Sequence, residues 1–125
     1  MSEAKLLIIE DDADQLIGLK LRLQAHGYTV VHAADAVSAV RVARQELPDL
    51  ILLDIGLPAG DGFVVMQRLH NLVDVAHVPI IIVSARDPEH HAERALNAGA
   101  YGYFQKPVDN RDLLDAIEDA LGIAV

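Results

Sequence analysis

Residues Pro48–Gly62 read PDLILLDIGLPAGDG, and this stretch decides the fold. Leu50–Leu53 is a short, wholly apolar run, and one carboxylate, Asp54, stands at its end. Directly after it come Gly56, Pro58, Gly60 and Gly62, residues that turn a chain and leave its backbone accessible. An apolar run this short, bounded by turn residues, fits a strand buried on both faces, as parallel strands are. In an open α/β sheet the ligand crevice lies beyond the carboxyl ends of the strands. Asp54 is therefore expected at the mouth of that crevice and not in the core.

Outward from this centre, strand and helix patterns alternate in both directions. Upstream, Lys5–Ile9 is an apolar run ending in Glu10, Asp11 and Asp12. Ala13–His26 carries Leu16, Leu19 and Leu23 at helical spacing with Ile17 beside them, and Gly27 closes it. Tyr28–His32, rich in β-branched residues, reads as a second strand nearer the sheet edge. Asp35 caps a helix to about Gln45 that turns Ala36, Val40, Ala43 and Leu47 inward, and Pro48 stops it.

Downstream, Asp61 is the expected cap of a helix over Gly62–Leu69, and Asn71–Val78 reads as a loop. Pro79–Val83 is a fourth strand ending in Ser84. Asp87-Pro88 is an N-cap followed by proline at the first helical position, and that helix closes at Gly99. Tyr101–Phe104 makes a short fifth strand before Lys106-Pro107. The last helix starts at Asp109, has Asp112 at its third position, and buries Leu113, Leu114, Ile117 and Leu121. Short connections admit only right-handed crossovers, so the reading is a parallel sheet covered on both faces. No linker or internal boundary interrupts residues 1–125, which read as one domain.

Bulk composition narrows the function. The chain has 125 residues, 52% hydrophobic and 23% charged, which is the balance of a globular domain with a core. A formal charge of -9 argues against a nucleic-acid-binding surface and against attraction to an anionic membrane. The absence of cysteine excludes disulfides, thiol catalysis and cysteine-based metal sites, and accords with a reducing cytoplasm. No apolar stretch is long enough to span a bilayer, and Met1–Leu6 does not resemble a signal peptide. Composition fits a whole small protein and a domain of a larger one equally well.

Four of the five strands end in a chemically usable group: Glu10 with Asp11, Asp54, Ser84 and Lys106. The fold brings those ends to one rim. Three carboxylates held together repel, and a hard ion such as Mg²⁺ relieves this by taking carboxylates, waters and a phosphate oxygen. Lys106 adds a second positive charge for a phosphoryl oxygen, and Ser84 offers a neutral donor. Together these groups describe in-line phosphoryl transfer onto Asp54. The histidines do not suggest a metal site: His26, His32, His70 and His77 are scattered, and adjacent His90-His91 diverge on a helix.

With these residues in view, the chain resembles the receiver domains of two-component response regulators. The resemblance rests on IIEDD at Ile8–Asp12, LLDIGLPAGDG at Leu52–Gly62, VSA at Val83–Ala85 and YFQKP at Tyr103–Pro107, in the right order and at the right distances. It covers the chain from Lys5 to about Leu121. It implies an α/β, flavodoxin-like (βα)5 three-layer sandwich with strand order 2-1-3-4-5. It implies Asp54 as phosphoacceptor, with Asp11 binding Mg²⁺ directly, Glu10 acting through water and Gly56 giving its backbone carbonyl. Ser84 and Tyr103 take the switch positions, and Lys106 that of the family's lysine, with a cis bond before Pro107. Tyr103 also has the plainer reading of an edge-packing aromatic. Two departures bear on phosphoryl lifetime: Gly56 lacks a side chain there, and Arg86 occupies the other position linked with it.

The implied function is a signalling domain that catalyses its own phosphorylation and dephosphorylation and turns over no external small substrate. Its phosphoryl donor is a sensor histidine kinase or a histidine phosphotransfer protein. A downstream protein or a second copy would bind the face made by the fourth helix, fifth strand and fifth helix, with no direct contact to nucleic acid or membrane. Two rivals stand beside it. A Mg²⁺-dependent phosphohydrolase using an aspartyl-phosphate would normally have a second Asp where this chain has Gly56, and a substrate-covering cap. An unphosphorylated interaction module would have no need of the full chemical set that is present.

Overall fold

The computed structural model describes residues 4–57 and 62–122. Five strands and five helices alternate: β1 (Lys5–Ile9), α1 (Ala13–Ala25), β2 (Thr29–Ala33), α2 (Ala36–Glu46), β3 (Leu50–Leu53), α3 (Gly62–His70), β4 (Ile80–Ser84), α4 (Pro88–Asn97), β5 (Gly102–Gln105) and α5 (Asn110–Leu121). All pairings are parallel, and the strand order is β2-β1-β3-β4-β5. This is the flavodoxin-like arrangement.

Successive side chains of a strand point to opposite faces, which divides each apolar run between two cores. Ile51 and Leu53 join Leu7, Ile9, Ile80 and Ile82 under α2, α3 and α4. Leu50 and Leu52 join Leu6, Ile8, Ile81 and Val83 under α1 and α5. Each such side chain, buried completely, contributes roughly 1.5–3 kcal/mol relative to exposure. Continuous apolarity in the strands is thus what allows helices on both faces.

Register aligns the carboxyl ends of the central strands. Ile9 lies beside Leu53, and Leu53 beside Ile82, so the residues that follow emerge together at one rim. At the opposite end Lys5 N–H donates to Asp49 Oδ2 at 2.8 Å while Asp49 N–H donates to the Lys5 carbonyl at 2.7 Å. Asp12, Asp35, Asp87 and Asp109 cap α1, α2, α4 and α5 through their carboxylates. The expected cap Asp61 and the turn residues Pro58 and Gly60 lie outside the described residues.

Several local expectations shift. β2 begins at Thr29 because the Tyr28 N–H turns back to the Leu23 carbonyl at 3.2 Å, closing α1 instead of entering the sheet. β5 begins at Gly102, which leaves Tyr101 outside the strand with its hydroxyl on Asp119 of α5. Ile17 is 54% exposed. At 100° per residue it lies about 160° around the helix from Leu19, away from the sheet. Leu47 does not face inward either: it ends α2 in the left-handed region at φ 47° and is 55% exposed. Its N–H still reaches the Ala43 carbonyl, so the helix closes by swinging the Leu47 side chain out.

Candidate functional site

Glu10, Asp54 and Lys106 are each the first residue beyond a strand, and Ser84 is the last residue of β4. Glu10 continues β1: its N–H donates to the Ala33 carbonyl of β2 at 3.0 Å. Asp54 continues β3 in the same way, its N–H on the Ile9 carbonyl at 3.0 Å. Lys106 leaves β5 with its N–H on the Ser84 carbonyl at 2.8 Å, and the Lys106-Pro107 bond is cis. The ladder hydrogen bonds of the sheet thus fix the backbones that carry the site.

The side chains converge as well. Lys106 Nζ lies 3.0 Å from Asp54 Oδ2 and also donates to Glu10 Oε1. The other Asp54 oxygen, Oδ1, accepts from Gly56 N–H at 2.8 Å, and Glu10 Oε2 accepts from Asp12 N–H at 3.2 Å. Glu10 is only 6% exposed, so both of its oxygens need these partners. Burial pushes the Glu10 carboxyl above the ordinary carboxylate value, further than Lys106 and the Asp12 N–H draw it down. Burial acts downward on Lys106, but its hydrogen bonds to Glu10 and Asp54 and their charges outweigh this. The ammonium is held above the usual lysine value.

Asp11 stands exposed beside this group. Glu10, Asp11 and Asp54 each offer a carboxylate oxygen, and the three oxygens lie within 4.8 Å of one another. Ligands on a single Mg²⁺ are at most about 4.2 Å apart, so a slight closing of this cluster suffices. An all-oxygen donor set fits Mg²⁺ and disfavours softer metals. Below the Lys106 side chain the crevice continues as a cleft of about 420 Å³ walled by Leu19, Leu52, Val83 and Val108.

Ser84 closes the far side of the rim, 1% exposed, and its Oγ accepts from Arg86 N–H at 3.2 Å. Tyr103 is half-buried, packed against the core under α2, α3 and α4. Its hydroxyl donates to the Arg86 carbonyl at 2.8 Å. Burial pushes the Tyr103 phenol up, with the Ser84 hydroxyl beside it acting the other way. The structure therefore brings Glu10, Asp11, Asp54, Gly56, Ser84, Tyr103 and Lys106 to one end of the sheet. What sequence reasoning did not find is Arg86 clasped by both Ser84 and Tyr103. Both contacts go to its main chain, which leaves no residue-type signal.

Comparison with known proteins agrees with this geometry. The family model for the response regulator receiver domain matches residues 6–118. The chain is 35% identical over 118 residues to protein PilH of Pseudomonas aeruginosa, covering 94% of this chain and 98% of PilH. It is 33% identical over 107 residues to response regulator PleD of Caulobacter vibrioides, covering 86% of this chain but 24% of PleD. A solved structure, the receiver domain of sensor histidine kinase PA1611 from P. aeruginosa PAO1 with magnesium coordinated in its active site cleft, is similar at TM-score 0.88. It shares 29% identity, covering 97% of this chain and 99% of that one.

Proposed function

Because this chain belongs to the response regulator receiver domain family, we propose that Asp54 accepts a phosphoryl group from a phosphohistidine of a partner kinase or phosphotransfer protein. A carboxylate oxygen of Asp54 attacks the phosphorus, the P–N bond breaks, and the imidazole leaves with the bonding pair and takes up a proton. Lys106 holds Asp54 Oδ2 and keeps the reacting carboxylate aimed into the crevice. Glu10, Asp11, Asp54 and the Gly56 carbonyl would hold Mg²⁺, which supplies charge neutralisation to the transferring group. Asp11, exposed and without a lysine partner, would be the direct ligand, and Glu10, already engaged by Lys106 and the Asp12 N–H, would act from farther away.

The observation that carries this reading is the Lys106 ammonium bridging two strand-end carboxylates beside a third. Once Asp54 is phosphorylated, the Ser84 hydroxyl has a charged acceptor for its proton, and turning toward it pulls on the Arg86 N–H that donates to the same oxygen. A change in that loop reaches Tyr103 through the Arg86 carbonyl. The partner surface is the face of α4, β5 and α5, where Leu96 and Tyr101 stand exposed.

Intact-mass measurement after treatment with acetyl phosphate and Mg²⁺ tests the assignment. One phosphoryl adduct is expected in the wild type and none in Asp54→Asn, with Asp11→Asn strongly reduced. An undiminished adduct in the Asp54 variant sinks the proposal. Among the described residues no helix is long and apolar enough to cross a membrane.

A further inference from the structure

Arg86 stands exposed two residues beyond Ser84, at the rim of the crevice. Its main chain is held from both sides, the N–H by Ser84 Oγ and the carbonyl by Tyr103 Oη. Its side chain turns back toward Gly56. A Cβ placed on Gly56 would lie 3.3 Å from Asp54 Oδ1 and 3.6 Å from Arg86 Nε. The guanidinium and the acceptor carboxylate therefore flank the very space that a side chain at position 56 would fill. Lys106 engages the other carboxylate oxygen, Oδ2, and it is Oδ1 that lies on the Gly56 side, where Arg86 Nε also stands. Among the described residues no hydrogen bond or ion pair holds the Arg86 guanidinium.

We infer that Arg86 is a phosphoryl-binding residue of this site, closing over Gly56 onto the phosphoryl oxygens while Lys106 anchors the carboxylate beneath them. The inference rests on Asp54 being the phosphorylated residue. A planar guanidinium matches phosphate oxygens with paired N–H donors, and at the rim it keeps enough freedom to close only when that anion is present. Gly56 is what gives it room. The main-chain contacts then make the closure informative: as the side chain moves inward, it draws on the two hydrogen bonds that tie residue 86 to Ser84 and Tyr103. Only the phosphorylated state offers the guanidinium a multivalent anion, so the interaction differs between the two states, as a switch requires.

Beryllofluoride, a phosphoryl mimic, provides the probe. Its affinity in the presence of Mg²⁺, and the affinity for Mg²⁺ alone, are measured for the wild type, Arg86→Ala and Arg86→Lys. Loss of one charge-assisted contact at a partly exposed site is expected to weaken beryllofluoride about three- to tenfold in Arg86→Ala. Arg86→Lys should recover part of that loss. Mg²⁺ alone should bind Arg86→Ala as tightly as the wild type or more tightly, because a cation has been removed from beside three carboxylates. Equal beryllofluoride affinity in wild type and Arg86→Ala overturns the inference. So does a matching loss of Mg²⁺ affinity, the mark of a site generally disturbed. A wild type that binds Mg²⁺ but no beryllofluoride overturns the Asp54 reading itself, an outcome separate from either of these.

Discussion

A Cβ on Gly62 would lie 2.3 Å from Ile55 Cα and 3.0 Å from the Ile55 carbonyl carbon. The start of α3 thus rests directly on the backbone of the residue after Asp54, and Gly62 N–H meets the Ile55 carbonyl at 3.3 Å. Gly62→Ala must displace backbone there and should cost about 1–3 kcal/mol. Gly18 is the opposite case. It lies inside α1 with nothing within 4 Å of a built Cβ, so Gly18→Ala should stabilise by about 0.5–1 kcal/mol. Urea unfolding of both variants checks this; shifts of the same sign would show that the close approach at Ile55 does not decide Gly62. Nothing in the sequence separates these two glycines by consequence, because the deciding neighbour of Gly62 is the backbone of another element. Asp54, by contrast, is legible because it is the one charge at the end of an apolar run.

At the level of elements, the helix starts were readable for a physical reason: an Asp before a periodic apolar pattern supplies the acceptor that free N–H groups need. Asp35 shows what such a cap does. Its carboxylate accepts from Ser38 N–H and from Ser38 Oγ, both at 2.8 Å. These bonds hold its pKa below the ordinary 3.8. A depressed carboxylate contributes stability that is complete above the unfolded value and is lost as pH falls through the lower folded one. Asp35→Asn keeps an acceptor oxygen but does not titrate. Wild-type stability relative to Asp35→Asn should therefore be level at neutral pH and decline as pH falls through the region of 3.8 and on toward the lower folded value. Denaturant titrations across that range measure it, and a difference that does not change with pH would rule out the Ser38 bonds as the cause. The helix end at Leu47 was harder to read. Proline after it announces a stop, but whether the last side chain turns in or out depends on a left-handed closing residue, which is usually glycine and here is not.

For the whole molecule, Lys106 links the edge strand β5 to the ends of β1 and β3. Lys106→Ala leaves Glu10 and Asp54 near each other without that charge, and should lower stability in the absence of metal by about 1–3 kcal/mol. Mg²⁺ should then raise the thermal midpoint more in the variant than in the wild type, since the ion no longer competes with the ammonium. Amide shifts on adding beryllofluoride should reach Tyr103 and α5 in the wild type and stay near Asp54 in the variant; identical far-reaching shifts would move the switch away from Lys106. The overall architecture was legible because strand, helix and turn signals recur in one order, whereas the clasp on Arg86 depends on a side chain of β5 reaching the loop that follows β4. The polar residues at the strand ends have a further consequence. Leu50–Leu53 is apolar on both faces, so slipping β3 by one residue against its neighbours would exchange one buried hydrophobic side chain for another at little cost from the interior alone. What penalises the slip is at the boundaries: it would drag Asp49 away from Lys5 or pull Asp54 into the sheet. The acid proposed to receive the phosphoryl group is therefore also a stop that fixes the alignment of the central strand, and replacing it by an apolar residue would remove both at once.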